Sequence, residues 1–261
     1  MHTFAAKIGT LVLLLFVFFS TPVRADIFDD YGEATNSLDF QAEVGIFSRR
    51  LFREQDLYDG TSIQPRLRAQ ANIETVSVYL EGFSHLNTGP SGGTNQSDFS
   101  ELDYDLGAFA ALDFMTLHFG HRWYSYTKKT ERLDNTGEFF GKVQLDTIAH
   151  PHLELDYDWD SYKGWYGEVG AEAPVPLELG QTDSSLIPFA TVSFSSGLAD
   201  GKMPIYAEDG FVGMDFGVRG QFYLIKEFYI EPVIQYTAAF DRNADSVFTF
   251  GIRMGGKAGV Q

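Results

Sequence analysis

The sequence predicts an all-β protein, an antiparallel up-and-down transmembrane barrel of about twelve strands, with ten as the alternative. Three observations predict it. Apolar and polar residues alternate with a period of two along one segment after another. Very short connections alternate with long polar ones. An export leader precedes it all, and no cysteine follows.

The leader is MHTFAAKIGTLVLLLFVFFSTPVRA, residues 1–25. Lys7 precedes an unbroken apolar run from Leu11 to Phe19, and a small residue, Ala25, stands at the expected cut. That run is shorter than the roughly 20 residues a spanning helix needs, so it reads as a cleaved signal peptide rather than an anchor. Residues 26–36 are then a short periplasmic segment, 37–256 the barrel and 257–261 a C-terminal tail. Without the leader, seventeen basic residues face thirty-six acidic ones, a net charge of −19. Nucleic acid is excluded as a partner, because phosphates need a basic footprint. An aromatic content of 15% argues against an acidic disordered chain.

Twelve alternating segments follow, near 37–49, 62–73, 76–87, 101–111, 114–126, 138–146, 152–162, 164–176, 186–197, 210–223, 228–241 and 246–256. Their clearest member is LELDYDWD at 153–160, which places an acid at every second residue between leucine, tyrosine and tryptophan. On a strand all four acids share one face. Segments 2–3, 4–5 and 10–11 are joined by two or three residues, and segments 6–7 by DTIAH. Long polar stretches such as NTGPSGGTNQSDFS and TKKTERLDNTG join 3–4 and 5–6. Short periplasmic turns and long outer loops are the habit of outer-membrane barrels. Two connections depart from it: the tight Lys163-Gly164 between segments 7 and 8, and the over-long inner linker ELGQTDSSL between 8 and 9.

A soluble sandwich would show the same period with its apolar face inside. The polar faces here are too charged for a dry core, since an unpaired buried carboxylate is very costly. The apolar faces mix glycine and alanine with bulky residues, and tryptophan gathers at strand ends, as at a membrane interface. Hydrocarbon therefore lies outside and water inside. The expected acidic lumen wall is Glu154, Asp156, Asp158, Asp160, Glu168, Glu172, Glu101, Asp103 and Asp105. The expected inward bases are Arg66, Arg68, Arg122, Lys142, Arg219 and Arg253, and some of them should pair with neighbouring acids. Trp123, Tyr126, Trp159 and Trp165 form the expected aromatic girdle.

Residues 103–126 and 138–177 carry a pattern found in a known family. Glu138 and Asp146 bound one strand, Tyr157, Asp158 and Asp160 mark the next, and Gly164, Tyr166 and Glu168 mark a hairpin. In this the chain resembles the Gcw_chp family of uncharacterised bacterial proteins, over about a third of its length. The resemblance implies an exported Gram-negative β-protein and supplies no activity.

Catalytic and metal-binding patterns are weak. Ser84 and His85 are adjacent on a strand and point to opposite faces, and no His-x-Ser spacing would align such a pair on one face. His150-Pro151-His152 reads as a proline-fixed turn with exposed rings, in the absence of a third ligand at characteristic spacing. Asp156, Asp158 and Asp160 lack the glycine turn and closing glutamate of a calcium loop. No catalytic residue, metal or cofactor is therefore assigned. The expected function is a passive channel or binding site for small polar solutes, cations preferred, in the lipid of the bacterial outer membrane. A closed structural or surface-interaction barrel is the alternative, and a lipid-modifying enzyme the second one.

Overall fold

The computed structural model describes residues 36–88, 98–126, 133–179, 182–199, 205–242 and 244–260. The signal peptide and nearly all of the 26–36 segment lie outside them, as do parts of the loops at 88–100 and 127–137. Fifteen strands are present: β1 (Ser37–Phe47), β2 (Arg50–Phe52), β3 (Gln55–Tyr58), β4 (Thr61–Ile73), β5 (Val76–Thr88), β6 (Asp98–Leu112), β7 (Met115–Tyr126), β8 (Thr136–Leu145), β9 (His152–Asp158), β10 (Trp165–Glu172), β11 (Val175–Leu179), β12 (Thr182–Ser196), β13 (Gly210–Ile225), β14 (Phe228–Ala239) and β15 (Val247–Val260). All but β2, β3 and β11 close an antiparallel barrel, in which each pairs with its sequence neighbours, β1 with β4, β10 with β12, and β15 with β1. Twelve barrel strands were expected, and twelve are found.

The sidedness is that of a membrane barrel. Leu67, Leu80, Leu106, Phe119, Ile234 and Phe250 are exposed, whereas Glu101, Glu138 and Asp158 are each 1% exposed. Alternation puts these two sets on opposite faces of the same wall. Placing hydrocarbon against the first set costs nothing, while the second set meets partners and water inside.

Three elements differ from the sequence expectation. The over-long linker ELGQTDSSL is a hairpin: β11 continues β10 along β12 in unchanged register, Glu172 opposite Phe189 and Val175 opposite Leu186. Pro174 interrupts the ladder between them, since it has no N–H to donate. Leu179 pairs with Thr182, so this inner connection is as short as those between β4 and β5, β6 and β7, and β13 and β14. Residues 257–260, expected as tail, extend β15, with Leu38 opposite Val260 on β1. Their glycine and alanine content weakened the strand signal, but the closing seam with β1 supplies their ladder. Finally, the first loop contains a hairpin of its own, β2–β3.

Candidate functional site

Hairpin β2–β3 folds into the outer end of the barrel. Its two tip residues, Arg53 and Glu54, have φ of 50° and 63°. Both central residues left-handed is the turn that suits a two-residue hairpin, though Asn-Gly is the usual occupant. Side chains with a Cβ resist that region, so the tip is strained and held from elsewhere.

What holds it are charges on the barrel wall. Arg50, fully buried, pairs with Glu101 on β6 and donates from Nη1 to Ser100 Oγ at 3.0 Å. Arg53 donates from Nη2 to Glu138 Oε2 at 2.6 Å on β8 and to Asp156 Oδ2 at 3.3 Å on β9. Its guanidinium also lies 4.4 Å from the ring centroid of Tyr166. Glu54 Oε1 accepts from Ser193 Oγ at 2.6 Å on β12 and from the Tyr166 hydroxyl at 3.0 Å on β10. A Cβ at Gly213 on β13 would fall inside van der Waals distance of Glu54 Cγ, so the wall is bare where the tip touches it. Six consecutive or near-consecutive strands thus grip one hairpin.

Above the tip sits a small apolar cap of Leu133, Tyr166, Leu198, Ile205, Tyr206 and Val212, against which Phe52, Leu57, Tyr126 and Tyr162 pack. The Tyr206 hydroxyl donates to the Arg53 carbonyl at 3.1 Å. Val212 stands in the sequence among outward residues, yet it is 1% exposed. A bulge where the β12–β13 register shifts, between Ser193 and Phe194, turns it inward.

Deeper in the lumen lie the six expected bases, and every one has an acid. Five sit directly opposite their partner across a ladder: Arg66 and Glu43 (3.9 Å), Arg68 and Glu81 (4.0 Å), Arg122 and Asp105 (3.0 Å), Lys142 and Glu154 (3.5 Å), Arg253 and Glu231 (2.5 Å). Arg219 reaches across β12 to Glu172 at 2.7 Å. Directly opposed unlike charges stabilise a sheet, and this belt lines the wall with them. Part of it bounds a cavity of about 340 Å³, lined by Arg66, Arg68, Arg122 and Lys142 against Glu81, Asp105 and Glu154.

The acidic wall divides by partner. Glu101, Asp103 and Asp156 are buried at the outer end, Glu154, Glu172 and Asp105 join the belt, and Glu168 Oε1 accepts from the Tyr166 hydroxyl at 2.7 Å. Asp158 accepts at Oδ1 from the N–H groups of Asp160, Tyr162 and Lys163 at 3.0–3.2 Å, and at Oδ2 from Thr136 Oγ1 at 2.6 Å. It caps the turn that joins β9 to β10, which runs from Trp159 to Gly164 and is longer than the tight Lys163-Gly164 connection expected, because β9 stops at Asp158. Asp160 is not on the lumen wall as expected. The strand ends at Asp158, so alternation no longer governs its direction. Tyr126 is not a girdle residue either. It shares the inward face with Arg122 and Tyr124 and packs under the cap, 6.0 Å from the Arg50 guanidinium. Its spacing, four residues from Arg122 and two from Tyr124, could have revealed this. Trp123 and Trp159 do stand together, centroids 6.2 Å apart, and Trp165 pairs with Tyr157 at 4.8 Å. His150, expected as an exposed ring in its turn, is fully buried.

The anchoring residues Arg50, Arg53 and Glu54 were missed, because Arg53 and Glu54 open the polar stretch REQDLYDGTS between the first two segments, which reads as a loop, and Arg50 falls just beyond the end of the first segment. The sign to look for was two arginines three apart facing a chain full of acids.

No protein-family model and no curated protein matches the sequence. Among solved structures, LpxR from Salmonella typhimurium is similar with a TM-score of 0.54 at 11% identity, over 84% of this chain and 99% of that one. An outer-membrane channel from Pseudomonas putida F1 is similar with a TM-score of 0.56 at 10% identity, over 88% of this chain and 98% of that one. At such identities the likeness is one of architecture, and with the inverted sidedness of the wall it gives the chain the fold of an outer-membrane β-barrel.

Proposed function

We propose that this protein is an outer-membrane barrel for small polar solutes whose outer mouth is shut by its own hairpin β2–β3. The observation that carries the reading is the grip of Glu101, Glu138 and Asp156 on Arg50 and Arg53. The cavity beneath, about 340 Å³ and lined by paired charges, has the size and polarity for a small polar solute. When the hairpin leaves, those three carboxylates lose their arginines and form an acidic ring at the mouth. An acidic ring favours cations, so the open state is a cation-preferring pore. The Gcw_chp resemblance fits a bacterial exported barrel of this kind and adds no chemistry to it.

The test uses the mature chain in planar bilayers. A double substitution, Arg53→Asn with Glu54→Gly, keeps a favourable two-residue turn and removes the tip anchors. The wild type is expected to be silent, and the double variant to conduct with reversal potentials favouring cations. A variant that folds, judged by heat-modifiable gel migration, yet stays silent would leave a closed structural barrel. Chloride preference in the opened variant would overturn the acidic-ring reading.

A further inference from the structure

Near the outer end of β5 and β6, three chemically apt side chains meet that the hairpin grip does not fully use. His85, Glu101 and Asp103 each offer one ligand atom, and these atoms lie within 4.8 Å of one another. His85 stands directly opposite Glu101 across the ladder, its Nε2 3.2 Å from Glu101 Oε2. Asp103 follows two residues along the same face. A bulge between His85 and Leu86 sits at this point, the kind of irregularity that re-aims a side chain beside a site.

Burial makes the group informative. His85, Glu101 and Asp103 are 7%, 1% and 5% exposed. Asp103 Oδ1 and His85 Nδ1 are buried with no hydrogen-bond partner. Arg50 pairs with Glu101, whereas among the described residues no ion pair reaches Asp103. A buried carboxylate lacking a partner is costly, and a bound cation removes the cost.

We propose that His85, Glu101 and Asp103 bind a divalent transition-metal ion, with zinc as the best-matched species. One imidazole nitrogen and two carboxylate oxygens are a donor set that zinc takes, with a fourth position for water. Ligands about 2.1 Å from such an ion stand about 3.4 Å apart in a tetrahedron, so small side-chain rotations at His85 and Asp103 close the site. Arg50 holds Glu101 Oε2, the same oxygen that faces His85 Nε2, and would orient the carboxylate as outer hydrogen bonds do at metal sites. Calcium and magnesium, which prefer all-oxygen sites, fit it poorly. The site does not depend on whether the barrel conducts.

The test is a zinc titration of the refolded mature chain in detergent, followed by calorimetry and by competition with a chromophoric chelator. One zinc ion per chain is expected, with little response to calcium. His85→Ala and Asp103→Asn should each weaken binding at least tenfold, while His118→Ala leaves it unchanged. Cobalt substitution adds a signature independent of affinity, the visible absorption of a four-coordinate ion, which the two variants should lose. Absence of saturable zinc binding to the wild type would overturn the proposal. So would unchanged binding in both variants that migrate as folded barrels.

Discussion

Glu54 shows how one residue can make the closed mouth sensitive to pH. Burial raises its pKa from 4.5 to about 8, with Asp215 and Glu168 nearby adding to the rise, while the hydrogen bonds from Ser193 and Tyr166 oppose it. Docked, the carboxyl is neutral at pH 7; released into water, it ionises near its ordinary value. The docked state therefore binds the extra proton, and docking weakens as pH rises from about 4.5 through about 8. Hairpin release, read as protease sensitivity within residues 48–60, should increase between pH 7 and 9. Glu54→Gln keeps an acceptor for both hydroxyls without the charge, and its protease sensitivity should be flat across that range. A wild type equally resistant at pH 9 would show that Glu54 does not set the latch. Arg53 is the complementary case. Replacing it with alanine strands Glu138 and Asp156 in the wall, and removing one partner of a buried pair costs about 3–5 kcal/mol. Unfolding of Arg53→Ala in urea should start at clearly lower concentration, with part of that loss recovered in Arg53→Ala combined with Glu138→Gln.

The hairpin is the element on which function turns, and it rests on a wall trimmed to receive it. Gly213 has no side chain where the tip touches β13. Gly213→Leu should push the tip out and mimic the open state in conductance, with a slight adjustment of β14, whose Ala238 carbonyl would stand 3.0 Å from the added Cβ. At this scale the sequence was informative where the environment is uniform. Strands such as β7 and β9 could be read from alternation alone, because lipid on one side and water on the other impose a strict period of two. It failed where an element answers to a neighbour instead. The polar residues of ELGQTDSSL made the end of β11 and the start of β12 look like a linker. The glycines of β15 hid a closing seam. Val212 changed faces at a bulge, and Tyr126 was placed by its strand-end position although its spacing from Arg122 already set its face.

For the molecule as a whole, the sidedness of the wall is the governing property. Leu106 and Phe119 stand on the outer face, each more than half exposed. Arginine introduced at a mid-bilayer position of such a face costs about 2–4 kcal/mol. Leu106→Arg should therefore refold into lipid vesicles with a stability loss of that size, whereas Gln144→Arg on the cavity wall should cost much less. Equal losses would contradict hydrocarbon outside and water within. The closed ladder also accounts for the expected behaviour on gels: an unheated sample should migrate as a compact species, because a barrel without free edges has nowhere to begin unravelling.

By itself the sequence determined that there is a barrel of twelve strands, which face of each strand meets lipid, and that six basic side chains point into the lumen. Those properties follow from local periodicity and from the two solvents, and a strand carries that record along its own length. Only the tertiary structure decided which acid each base meets, that Arg50 and Arg53 close the mouth, and that His85, Glu101 and Asp103 converge. These are relations between segments distant in the chain, fixed by strand register and by a loop folding inward, and no periodicity within one segment encodes them.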